Sequence, residues 1–122
     1  MFDMNIGIFI LDENKNPVRL EDEDCLKWAM WKFHNSNLIH VARTTIGNHL
    51  ISTVFLGQAY VPEFTLPLLF ETMIFGLNDS TTFDRYPTWN SALSGHDRAC
   101  TEVRERLNLP LEEIEDDSSI EE

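Results

Sequence analysis

The chain has 122 residues, of which 43% are hydrophobic and 11% aromatic, so its composition excludes a wholly disordered protein and its length fits one domain. Its 21 acidic and 9 basic side chains give a formal net charge of −12. This charge disfavours direct contact with nucleic acid or an anionic membrane and favours a protein partner with a basic surface.

The acidic excess is concentrated at the C-terminus. Residues 112–122 hold seven acids and no base, which leaves 14 acids against 9 bases in the rest of the chain. We therefore expect a single domain over 1–111 and a flexible acidic tail over 112–122. The chain lacks an apolar run of about 18 residues, and its N-terminus lacks the basic start of a signal peptide. These features predict a cytoplasmic protein.

The first elements are a strand, a turn and a helix. The run IGIFIL over 6–11 is β-branched and aromatic, and the turn formers of 12–17 end it before a short extended piece at 18–20. The acids of 21–24 suit a helix start, and apolar residues follow at helical spacing: Leu26, Ala29, Met30 and Phe33. Trp28 and Trp31 widen this apolar face, so we expect the helix to be covered on two sides.

A two-residue Gly47-Asn48 turn then predicts a β-hairpin between residues 38–46 and 49–56. In this register Ile46 faces His49 and Arg43 faces Ser52. One face of the hairpin is the more apolar and is expected to face the core: Ile39, Val41, Leu50, Val54 and Leu56.

The second half of the chain adds one strand and one helix. After a loop over 60–67, residues 68–75 are apolar on both alternations, as in an inner strand, and a loop over 76–87 follows. Thr88 is the expected N-cap of a helix that Asn108 and Pro110 end. The predicted fold is therefore α+β, in the order β-α-β-β-β-α, with two helices packed on one face of an antiparallel sheet of about four strands.

His96 interrupts the apolar stripe of the last helix. A histidine there can serve as base, metal ligand or switch, but its neighbours do not polarise it for catalysis. The favoured interpretation is a core histidine hydrogen-bonded to backbone or to a buried acid. Cys100 lies four residues away, but a Cys/His nucleophile pair on one helix would be unusual. The four histidines and two cysteines lack metal-site spacing. We expect no catalytic residue, no cofactor and no metal.

Glu71 interrupts an apolar strand, where a carboxylate needs a partner to stay charged. Arg43, His40 or Arg85 can supply one. Either the pair is architectural, or Glu71 lies at the edge of a ligand pocket with threonines nearby: Thr44, Thr53 and Thr72.

Two segments combine aromatics with prolines, YVPEFTLP over 60–67 and FDRYPTW over 83–89. Such segments either contact a partner or fold back over the core. The candidate binding residues from all these patterns are Glu71, Arg43, Tyr60, Arg85, Tyr86, Trp89 and His96.

Four segments over residues 5–105 carry a family resemblance: NPVRLEDEDCLKWAMW, ISTVFLGQAY, PLLFETMIFG and RYPTWNSALSGHDRAC. As a set they resemble a family of small uncharacterised accessory proteins of bacteriophages and prophages. The resemblance implies an accessory protein of phage type, and it transfers no activity, cofactor or catalytic residue to this chain.

The leading hypothesis is a non-enzymatic phage-type protein that binds a host protein with a basic surface, one form being an inhibitor. The alternative is a protein that sequesters a small molecule or nucleotide in a pocket between sheet and loops. An enzyme that uses His96 or Glu71 ranks last. A homo-oligomer is also open, with 6–11 as an edge strand that pairs across a two-fold axis. If the protein is phage-encoded, its compartment is the host cytoplasm.

Overall fold

A computed structural model describes residues 5–76 and 79–107, and it confirms the α+β class. The elements in chain order are β1 (Ile6–Leu11), β2 (Pro17–Leu20), α1 (Cys25–His34), α2 (Ser36–Ile39), β3 (His40–Ile46), β4 (His49–Phe55), β5 (Gln58–Tyr60), β6 (Phe70–Phe75), β7 (Ser80–Tyr86) and α3 (Trp89–Leu107). The predicted tail over 112–122 and the helix stop at 108–110 lie outside the described residues.

The strands form two antiparallel sheets instead of the single sheet that we expected. One has the order β2-β1-β5 and the other β3-β4-β6-β7. β6 is an inner strand, as predicted. β1 is the central strand of its sheet and pairs on both sides, so the expectation that it is a free edge is wrong. The region 80–86, which we expected to be a loop, is strand β7. Its residues pair antiparallel with β6, and the pairing includes a bulge between Thr72 and Met73.

The β3–β4 hairpin has the predicted register near its turn, with Ile46 opposite His49 and Arg43 opposite Ser52. A bulge between His40 and Ala42 then places His40, not Val41, opposite Val54. The predicted core face is wrong, because the buried side chains belong mainly to the other face: Ala42, Thr44, Ile46, Ile51, Thr53 and Phe55. Helix α3 covers that face and provides a polar partner for its threonines.

Helix α1 is attached to the body of the protein by its two tryptophans. The Trp28 indole N–H donates to the Phe9 carbonyl oxygen at 3.1 Å, and Trp31 meets Phe55 edge-on with ring centroids 5.9 Å apart. Gly57, at φ +76°, carries the chain from β4 into β5 beside Trp28. The other side of α1 is exposed, so the expectation that the helix is covered on two sides is wrong.

The core consists of two apolar clusters. One contains Phe9, Leu11, Val41, Phe55, Leu69, Phe70, Tyr86 and Ala92. The other contains Ile46, Ile51, Ile74, Ala99 and Val103. Along β4, β6 and α3 alike, one buried polar residue separates the members of the first cluster from those of the second: Thr53, Thr72 and His96. The polar residues therefore form a layer across the core.

Helix α3 begins as the sequence predicts. The Ser91 backbone N–H donates to the Thr88 hydroxyl at 3.0 Å, which is the hydrogen bond of an N-cap. The cap fixes the start of α3, and with it the position of His96 two turns further on.

Candidate functional site

His96 and three threonines form a hydrogen-bonded group in the core, which we call the polar layer: Thr44, Thr53, Thr72 and His96. The His96 Nε2 lies 2.9 Å from the Thr44 hydroxyl, and its Nδ1 lies 2.7 Å from the Thr53 hydroxyl. The Thr53 and Thr72 hydroxyls are 2.5 Å apart. All four residues are buried.

The chemistry of these groups fits a structural role. A neutral imidazole donates from one ring nitrogen and accepts at the other, and a hydroxyl can do either. The two threonines that His96 contacts can therefore satisfy both of its ring nitrogens without an ionised partner. These two partners are hydroxyls, where the sequence pointed to backbone or a buried acid. This layer fixes the position of α3 over β3, β4 and β6.

Tyr86 packs next to the polar layer, with its ring directly against the backbone of Gly95 in α3. Burial raises the pKa of the Tyr86 phenol above its ordinary value of 10.0. The nearby Thr72 hydroxyl acts in the opposite direction, although the phenol oxygen has no well-aligned hydrogen bond. Both sequence candidates in this region, Tyr86 and His96, are thus core residues.

Successive side chains of a strand point to opposite faces of its sheet, so Glu71 lies on the other face from its neighbours Phe70 and Thr72. This is the face that α3 does not cover. Its Oε2 accepts a hydrogen bond from the Arg85 Nε at 3.0 Å, and the Arg85 Nη2 also lies 3.0 Å away. Glu71 and Arg85 are opposite each other in the ladder of β6 and β7. Of the three bases that the sequence offered to Glu71, Arg85 is therefore the one that pairs with it.

The seven sequence candidates do not converge on one site. Tyr60 and Arg85 line a cavity of about 180 Å³ beside β5. Trp89 lies under the Lys15 ammonium, 4.7 Å from the ring centroid, on another part of the surface. Arg43 is exposed on β3. Glu71, Arg85 and Tyr60 thus belong to one neighbourhood, and Tyr86 and His96 belong to another.

A cavity of about 360 Å³ lies where β4, β7 and α3 meet, and none of the sequence candidates lines it. His49, Glu102 and Arg106 are among its walls, and Arg106 forms an ion pair with Glu102 at 3.3 Å. The His49 Nδ1 is buried without a hydrogen-bond partner. No sequence pattern could find this cavity, because its residues come from three distant parts of the chain.

Residues 60–68, which we call the apolar loop, expose large side chains: Tyr60, Phe64, Leu66 and Leu68. Val61 packs against the core, but Phe64 is 89% exposed and Leu66 is 63% exposed, so this part of the loop does not fold back over the core. A mainly apolar cavity of about 230 Å³ adjoins it, lined by Phe9, Pro17, Leu66, Pro67, Leu69, Pro87 and Thr88. The second aromatic segment, 83–89, is different, since it continues β7 into α3 and buries Tyr86.

Within residues 5–76 and 79–107, no three His, Cys, Asp or Glu side chains are close enough to bind one metal ion. Over the same part of the chain, no helix combines the length and apolar character needed to cross a membrane. The chain matches no family model, no curated protein and no solved structure.

Proposed function

We propose that this protein is a phage-type accessory protein that binds a host protein through the apolar loop. The observation that carries the proposal is the exposure of Phe64 and Leu66 beside an apolar cavity. Contiguous exposed apolar surface on a small protein is typical of a contact site for another protein. The phage origin rests on the sequence resemblance alone.

The loop has the properties of an interface anchor. Pro62 and Pro67 restrict its backbone, which lowers the entropy lost when the loop is held by a partner. Phe64 can insert into a pocket of the partner, and the cavity beside Leu66 can accept an apolar side chain in return. A few buried anchors of this kind carry most of the binding free energy in protein interfaces.

The charge of the protein selects the partner. With a net charge of −12, the chain attracts a basic surface over a distance of about 10 Å at moderate salt and repels an acidic one. Glu63 is exposed within the loop, and it can contact a basic residue at the rim of the interface. A host protein that normally uses a basic surface would be inhibited when this protein occupies it.

The test compares Phe64→Ser with Phe33→Ser, a matched control because Phe33 is 77% exposed but lies on α1. Each variant and the wild-type protein are used to capture host proteins, and the affinity for the partner is measured by calorimetry. We expect Phe64→Ser to weaken binding at least about tenfold and Phe33→Ser to leave it unchanged. Equal binding by both variants, or no specific partner for the wild-type protein, would contradict the proposal.

Two further arms of the experiment test the charge. Raising the salt concentration should slow association, because the steering between opposite charges is screened. A protein that ends at Leu111 lacks seven acids, and slower association of this protein would assign the steering to the tail. Binding that depends on neither salt nor tail would mean that the partner is not recognised by charge.

A second candidate function is small-molecule binding in the cavity near Arg106. Its volume of about 360 Å³ lies within the range of ligand sites, whereas the cavity near Tyr60 is smaller than that range at about 180 Å³. Native mass spectrometry would detect a bound molecule that is lost on denaturation. Arg106→Ala should abolish that mass difference if the ligand occupies this cavity.

A further inference from the structure

One side of α1 is an exposed apolar surface, which we call the α1 stripe: Leu26, Ala29, Met30 and Phe33. The four residues follow the spacing i, i+3, i+4 and i+7, which puts them on one face of a helix. Leu26 is 76% exposed and Phe33 is 77% exposed. The stripe lies opposite the two tryptophans that attach α1 to the body.

The two ends of the stripe differ in charge. Residues 21–24 are four consecutive acids at its N-terminal end, the first three exposed, and they outnumber the single base of the first turn, Lys27. Lys32 and His34 lie in the last turn, and Lys32 is also close to the Trp28 ring. An occupant of the stripe must therefore offer apolar residues at helical spacing, a basic group at one end and an acidic group at the other.

The α1 helix of a second copy of this chain meets each of these requirements. We propose that the protein self-associates through α1, with the two helices antiparallel about a two-fold axis near Ala29 and Met30. In this arrangement Leu26 of each copy packs near Phe33 of the other, and the same surface patch is used twice. Each acidic segment 21–24 then lies just beyond the last turn of the opposite helix, within reach of Lys32 and next to the level at which Lys27 of one copy meets Lys32 of the other.

The size of the stripe determines the strength of the dimer. Its large side chains expose roughly 400 Å² per copy, against about 800 Å² per partner in a stable interface. The net charge of −12 on each copy also opposes association when the salt concentration is low. The dimer is therefore weak and depends on protein concentration. The apolar loop shares no residue with the stripe, so this proposal does not depend on the proposed function.

Sedimentation velocity over a wide concentration range tests the proposal. We expect the wild-type mass to rise with concentration from 14.2 kDa towards twice that value. Met30→Glu should keep the protein monomeric, because it places two carboxylates at the centre of the pair. Phe64→Glu adds the same charge to the apolar loop and should leave the dimer unchanged. Circular dichroism of both variants checks that they are folded.

A charge exchange tests the orientation of the two helices. Glu23→Lys should weaken the dimer, since it puts a like charge opposite Lys32 of the other copy, and a double variant adds Lys32→Glu to it. The double variant restores opposite charges and keeps the net charge at −12, so it should restore the dimer. A wild-type protein that is monomeric at every concentration, or a dimer that Met30→Glu does not affect, would overturn the proposal. A double variant without recovery would overturn the antiparallel arrangement.

Discussion

Gly95→Ala should destabilise the protein, although the same change in an ordinary helix interior is stabilising. A β-carbon at Gly95 would overlap the Tyr86 ring at Cε1, at Cζ and at the hydroxyl. Tyr86 is the last residue of β7 and is buried against α3, so its ring cannot move away without displacing the side chains packed around it. The substitution therefore sets helix propensity against overpacking.

The two effects can be compared in magnitude. Replacing glycine by alanine in a helix favours folding by about 1 kcal/mol. Overpacking in a close-packed core costs about 1 to 3 kcal/mol, and the overlap with a whole ring edge places this site at the upper end. The net loss is about 2 kcal/mol, which for a domain of this size lowers the melting temperature by about 8 °C.

The assay is thermal and urea unfolding of four proteins: wild type, Gly95→Ala, Tyr86→Ala and the double variant. In the Tyr86→Ala protein the ring is gone, so Gly95→Ala should now stabilise by about 1 kcal/mol. The effect of one substitution thus changes sign with the second. A Gly95→Ala protein that is more stable than wild type would refute the reasoning, because it would show that the tyrosine ring does not rest on this glycine.

Three further outcomes follow from the site. His96→Leu should cost about 2 kcal/mol in urea unfolding, since it removes two buried hydrogen bonds and leaves the Thr53 hydroxyl with Thr72 alone, and a change below about 1 kcal/mol would contradict the role of the polar layer. Tyr86 keeps its proton to higher pH in the folded state, so its contribution to stability is complete below pH 10 and is lost as the pH rises through its raised pKa. Tyr86→Phe should reduce this loss of stability at alkaline pH, and identical stability profiles of the two proteins against pH would contradict the prediction. Glu71→Gln should cost no more than about 1 kcal/mol, because the Arg85 side chain is 54% exposed and the ion pair is screened; a much larger loss in thermal unfolding would show that the pair is effectively buried.

The sequence predicted local features better than the arrangement of the sheets. The Gly47-Asn48 turn, the hairpin register next to it and the Thr88 cap each depend on a few neighbouring residues. The division into two sheets depends on Gly57, whose positive φ redirects the chain, and the sequence alone does not show which strands then pair. Local reasoning is therefore reliable where the cause is local.

The core face and the α1 stripe were misjudged for one shared reason. Hydrophobic pattern alone favoured the hairpin face with Leu50 and Val54, but the threonine face is buried because His96 satisfies its hydroxyls. The same reasoning expected Leu26 and Phe33 to be covered, and both are exposed. In each case the missing information was which face of the element a distant segment covers: α3 covers the threonine face of the hairpin, and the stripe of α1 is left exposed. Of the candidate site, the pairing of Glu71 with one of three named bases and the hydrogen-bonded core position of His96 could be anticipated.

The polar layer also bears on how this protein can change over evolutionary time. Any single replacement that removes one of its groups breaks at least one buried hydrogen bond, whereas an all-apolar layer of the same volume would carry no such penalty. A chain that changes from the polar layer to an all-apolar layer one residue at a time must therefore pass through less stable intermediates. Selection for stability alone can therefore retain His96 and its threonines through long divergence. If this histidine is conserved among related chains, the cost of replacing it is then a sufficient reason. Its conservation would not by itself indicate that an ancestor used it in catalysis.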